Sequence, residues 1–122
     1  MARLNHLTLF VRDHIAARDW YVTNLGLDVE FEIPEARTTA VRDRGDFAIF
    51  LAERSDLGGS PRCILYFQVD DVDRAFERMR AGDVAFDHEP RQTEWGYGPE
   101  TTDPDGHTIR LWDYRSEVPR EA

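Results

Sequence analysis

The 122 residues leave room for one domain with a continuous core, or for two half-size modules that share one. With 41% hydrophobic and 32% charged residues the chain reads as globular rather than disordered, and no apolar run is long enough to span a bilayer. A net charge of −9 argues against nucleic acid as a partner, because phosphate contacts need clustered cations.

Residues 4 to 11 alternate along Leu7, Leu9 and Val11 and read as a half-buried strand. Asp13 offers an N-cap oxygen to a helix whose apolar face is Ala17, Tyr21 and Leu25, with Trp20 beside them, and Gly26 ends it in the left-handed conformation. Three strands follow, Leu27 to Ile33, Thr38 to Arg42 and Phe47 to Glu53, with Pro34 a break and Arg44-Gly45-Asp46 a turn. Residues 55 to 62 are the one linker-like stretch. The pattern then restarts. Cys63 to Val69 is a strand, Asp71 caps a helix along Val72, Ala75, Phe76 and Met79, and Gly82 closes it. Val84 to His88 and Trp95 to Thr102 are strands, Asp103-Pro104-Asp105-Gly106 is a turn, and His107 to Tyr114 is the last strand. The expected organisation is one domain: module 1 at about 2–54, linker 55–62, module 2 at about 63–116, and a polar tail at 117–122 that frays.

Every basic residue is arginine, which GC-rich coding explains without a phosphate-binding role. The acidic surface would concentrate a cationic ligand, although solubility accounts for the charge alone. A single cysteine excludes an internal disulfide framework and agrees with a reducing compartment, and Met-Ala-Arg-Leu-Asn-His runs into a strand with no signal-peptide core, so the cytoplasm is expected.

The order of elements, with His6-Leu-Thr-Leu-Phe-Val-Arg-Asp13, Trp20-Tyr21, Leu25-Gly26-Leu27, Val69-Asp70-Asp71-Val72 and Asp103-Pro104-Asp105-Gly106-His-Thr-Ile-Arg-Leu111, resembles the vicinal-oxygen-chelate superfamily from about Leu4 to about Tyr114. That superfamily includes glyoxalase I, extradiol dioxygenases, and fosfomycin- and bleomycin-resistance proteins. The resemblance implies an α+β fold of two βαβββ modules, their eight strands curving into a half-barrel with the helices on its convex face and a pocket in the concave one. Strand parity then sends His6, Thr8 and Phe10, Ala48 and Phe50, Ile64, Tyr66 and Gln68, and Arg110 and Trp112 toward the pocket. Such a lining, aromatic with few polar points, suits an organic ligand.

Metal-dependent members of the superfamily take one ligand each from the first, fourth, fifth and eighth strands. Carried over, these positions hold His6, Phe50, Ile64 and Arg110. Only His6 has a lone pair to give, and a guanidinium is repelled by a cation, so neither metal nor other cofactor is expected. Glu53, His88, Glu94 and His107 show no recognised ligand spacing. His6 either bonds a ligand or is idle. Arg110 needs a partner, either a ligand carboxylate or phosphate, solvent at the pocket mouth, or an internal carboxylate such as Glu94 or Asp113, and the internal partner is preferred. Trp95-Gly96-Tyr97-Gly98 resembles a Trp-Gly pair in bleomycin-resistance-like members and is read as pocket lining, with Trp95 and Tyr97 stacking on a flat ligand, rather than as a packed turn. Cys63 reads as a small hydrophobe, and Asp70-Asp71-Val72-Asp73 as a helix N-terminus where carboxylates favour the dipole.

Two functions lead, ahead of a third in which the domain is a protein–protein module with an empty pocket. The first is a non-catalytic binding protein, a homodimer that sequesters an aromatic or amphipathic small molecule, without nucleic acid or membrane. The alternative is an enzyme using unorthodox metal ligands, or metal-free acid–base chemistry through His6.

Overall fold

A computed structural model of the protein describes residues 1–58 and 61–117. It divides into two compact units, Met1–Pro61 and a second that begins at Arg62. In the first, the order is β1 (His6–Val11), α1 (His14–Leu25), β2 (Asp28–Ile33), a 3-10 turn at Pro34–Ala36, β3 (Thr38–Arg42) and β4 (Ala48–Glu53). In the second it is β5 (Ile64–Gln68), α2 (Val72–Ala81), β6 (Phe86–Thr93), β7 (Gly96–Thr102), β8 (Thr108–Trp112) and a four-residue helix α3 (Tyr114–Glu117). Each unit forms its own four-stranded sheet, ordered β1-β4-β3-β2 and β5-β8-β7-β6, so its first strand lies parallel to its last. The α+β class and the repeated βαβββ order expected from the sequence are present.

The repeat extends to individual contacts. Leu9, Val11, Val41, Ile49 and Leu51 are buried in unit 1 with Ala17 and Tyr21 of α1, and Ile109 and Leu111 are buried in unit 2 with Val72, Ala75 and Met79 of α2. Burial of one such aliphatic side chain contributes roughly 1.5–3 kcal/mol. Asp13 Oδ1 accepts from the amides of Ile15 (2.9 Å) and Ala16 (3.0 Å), and Asp71 Oδ1 accepts from Arg74 (3.2 Å), which gives each helix its N-cap. A second carboxylate reaches the same helix end from the end of the last strand, Glu53 as its final residue and Asp113 just beyond it. Glu53 accepts from the His14 amide at 2.9 Å, and Asp113, 2% exposed, from the Val72 amide at 2.7 Å. These carboxylates satisfy amides that a helix start leaves open and complement its dipole. The hairpin turns match too. Asp43 Oδ1 accepts from Gly45 and Phe47 (2.7 and 2.9 Å), and Asp103 Oδ1 from Asp105 and His107 (both 2.9 Å).

Two expectations change. The strand expected at Val84–His88 runs from Phe86 to Thr93, with Pro90 inside it. Because β6 is the outer strand of its sheet, a missing N–H costs no interior bond there, and the register shifts between His88 and Arg91. The last strand ends at Trp112, and Tyr114 begins α3. Both expected glycines do close their helices, Gly26 in the left-handed region (φ 70°) and Gly82 at φ −90° with the positive φ on Asp83 (φ 73°). The linker is not wholly exposed, since Leu57 is buried. Gly59 and Ser60 of that linker, and the tail beyond Glu117, lie outside the described residues.

Candidate ligand-binding face

Side chains alternate across a strand, so the residues that do not face the helix share the other side of each sheet. On β1 and β4 these are His6, Thr8, Phe10 and Phe50. Phe50 meets the His6 ring at 5.0 Å and Phe31 of β2 at 5.4 Å, and Arg54 lies 4.6 Å over the Phe10 ring. His6 is exposed and its Nδ1 is hydrogen-bonded to Asn5 Oδ1 at 2.8 Å.

The matching face of unit 2 is polar. Register aligns Tyr66, Arg110, Glu100 and His88 in one row across β5, β8, β7 and β6. The Arg110 Nε–H donates to Glu100 Oε1 (2.8 Å), and its Nη1 donates to the Tyr66 hydroxyl (2.6 Å). Arg110 therefore has an internal carboxylate, but it is Glu100 and neither Glu94 nor Asp113. Asp113 instead holds the start of α2. Burial disfavours the charge on Arg110, but the bonds to Glu100 and Tyr66 outweigh it and raise the guanidinium above its ordinary value.

Trp95 completes this face. Its amide donates to Thr93 Oγ1 (3.2 Å), which fixes the β6–β7 turn. Its ring rests on Gly98, where an added Cβ would lie 3.0 Å from Trp95 Cη2 and 2.0 Å from the Leu111 carbonyl oxygen, so no side chain fits there. The Arg110 Cζ lies 5.2 Å from the Trp95 ring and 5.4 Å from that of Tyr66, within cation–π reach, and the two rings meet edge-on at 5.9 Å. His88, Arg91, Trp95, Glu100 and Arg110 line a groove of about 440 Å³. Its volume falls within the range of small-molecule sites, about 300–1,000 Å³.

Of the other expected residues, Ile64 (53% exposed) and Tyr66 (51%) project from β5. Gln68 pairs with Trp112 at the end of the same sheet, where Trp112 packs on Tyr114 at 5.1 Å. Tyr97 is a correction. Its hydroxyl donates to Asp73 in the first turn of α2 (2.9 Å), because it alternates with Gly98 and faces the helix. Cys63 is half-buried, and its amide donates to Nδ1 of the buried His107 (3.1 Å), a neighbour that sequence distance hides. Glu100 and Arg91 are not among the expected residues, and His88 enters as groove lining rather than as a metal donor. The turn at 103–106 carried the signal for Glu100, because a hairpin that pairs Thr102 with Thr108 must pair Glu100 with Arg110.

The donor set does not suit a catalytic metal of the superfamily's kind. Phe50 and Ile64 carry no donor, and Arg110 brings a bound guanidinium, which leaves His6 alone. Among the described residues no three His, Cys, Asp or Glu side chains converge as a metal site. No helix among them is long and apolar enough to cross a membrane.

The profile of the Glyoxalase/Bleomycin resistance protein/Dioxygenase superfamily matches residues 3–111. YetH, an uncharacterized protein of Bacillus subtilis (strain 168), is 24% identical over 115 residues, 89% of this chain and 96% of that one. A superfamily member from Sphaerobacter thermophilus DSM 20745 superposes with a TM-score of 0.77 at 25% identity, over 93% of this chain and 98% of that one. TnmS3, an antibiotic binding protein from Streptomyces sp. CB03234, does so with a TM-score of 0.75 at 28% identity, over 93% and 96%.

Proposed function

Because this chain belongs to the Glyoxalase/Bleomycin resistance protein/Dioxygenase superfamily, we propose that it is a small-molecule-binding protein that sequesters an aromatic or amphipathic ligand without a metal. The observation that carries this reading is the Tyr66–Arg110–Trp95 assembly beside its groove. Flat rings and a held guanidinium give area and orientation for a planar ligand, and neither is a group that would start a reaction at neutral pH. Binding by TnmS3, a relative with the same fold, supports a binding role here. His6, Thr8, Phe10, Phe50, Ile64, Gln68 and Trp112 remain in this reading as further lining.

The same family resemblance carries the expectation of a homodimer, which analytical ultracentrifugation tests, and the single cysteine agrees with a cytoplasmic location. A melting-temperature screen against a broad panel of aromatic and amphipathic compounds tests the function. Hits that raise the melting temperature of the wild type, with the shift lost in Trp95→Ala, are expected. A wild type that responds to no member of the panel contradicts the reading.

A further inference from the structure

The net charge of −9 points toward cationic ligands, but the groove sets two arginines, Arg91 and Arg110, beside its two glutamates. A guanidinium carries five N–H donors. In Arg110, Nε is used by Glu100 and Nη1 by Tyr66, and Nη2 makes no hydrogen bond among the described residues. Arg110 is only partly exposed (21% of its side chain) and lines the groove beside Trp95, so this donor is close to any ligand that enters it. Arg91 pairs with Gly98 in the β6–β7 register, which places it on the same face as Trp95. Among the described residues it has neither an ion pair nor a hydrogen bond. An arginine on an outer strand ordinarily serves to discourage strand pairing. Arg91 differs in lining the groove, where Gly98 offers no side chain beneath it. Of the two groove carboxylates, Glu100 is committed to Arg110, while Glu94 sits exposed in the turn.

We infer that the groove selects a planar aromatic acid, its ring against Trp95 and its carboxylate between Arg110 Nη2 and the Arg91 guanidinium. Guanidinium matches a carboxylate with two parallel N–H bonds, whereas a cationic ligand would leave these donors unpaired and meet like charge. This inference rests on the ligand-binding reading of the same face.

Isothermal titration calorimetry of the full chain with 2-naphthoate and with 2-naphthylmethylammonium tests it, in the wild type and in Arg91→Gln. Arg91 is exposed, so its replacement leaves the fold intact. The expected result is that naphthoate binds at least about tenfold more tightly than the ammonium, and that Arg91→Gln removes most of that preference by weakening naphthoate, while the ammonium, freed of a like charge, binds no more weakly than before. Tighter binding of the ammonium, or naphthoate affinity unchanged in Arg91→Gln, overturns the acid preference and leaves the ligand-binding reading standing. No heat with either compound in the wild type, together with no response to the aromatic panel, overturns both.

Discussion

The same row of four positions can be followed across both sheets. In unit 1 it runs Thr8, Phe50, Ala40 and Phe31, and in unit 2 it runs Tyr66, Arg110, Glu100 and His88. Behind each row the helix-facing side keeps its chemistry, with Ile49 and Leu51 answered by Ile109 and Leu111 and a carboxylate at each helix start. A packed core tolerates little change in volume or polarity, so the two units agree there. The opposite face makes no demand from the helix, and there the units part, one with clustered aromatics and the other with a guanidinium held between a carboxylate and two rings. The repeat supplies the scaffold, and one face of one unit supplies the polar recognition chemistry.

If the cores are equivalent, Leu51→Ala and Leu111→Ala should each destabilise by about 2–5 kcal/mol in urea unfolding. A cost below about 1 kcal/mol in one of them would break the equivalence of the cores. Asp113→Asn should cost about 1–3 kcal/mol, because it weakens a buried bond to the start of α2.

The carboxylates Asp13, Glu53 and Asp71 are held below their ordinary values, each chiefly by backbone amides at a helix start. Since folding lowers these values, their contribution is present above the ordinary carboxylate range and is lost as the pH falls through the lowered ones. Glu53→Gln should therefore flatten the acid side of the stability curve without changing the alkaline side. Equal slopes for wild type and variant would contradict this role.

Arg110→Phe writes the unit 1 residue into unit 2. The Arg110–Glu100 pair is partly solvated, so stability should change by only about 0–1 kcal/mol while panel binding is lost. His6→Ala should have the smallest effect, within about 0.5 kcal/mol, because its one hydrogen bond is to its exposed neighbour Asn5. An activity that disappears in His6→Ala with folding intact would favour the enzyme reading.

The frame was legible because its signals are local. Asp13 and Gly26 bracket α1, Asp71 starts α2, and alternation in β1, β4 and β8 assigned the two faces of each sheet. Local signals also misled. The Trp95-Gly96-Tyr97-Gly98 run joined two aromatics that end on different sides, because Trp95 sits in the turn before β7 and only Tyr97 obeys the strand's alternation, which turns it to the helix. Arg110 was visible as a charge in need of a partner, but its partner depended on hairpin register and not on nearness in sequence. The second carboxylate at each helix start was hidden for a similar reason, since Glu53 and Asp113 lie about 40 residues from the amides they hold.

The most direct test is a calorimetric titration of chelator-treated protein with the strongest hit from the aromatic panel, in wild type and Trp95→Ala. Saturable binding by the metal-stripped wild type that Trp95→Ala abolishes is the predicted result. Binding that returns only when a divalent metal is restored, or that Trp95→Ala leaves untouched, would contradict a metal-free binding face built around Trp95 and Arg110.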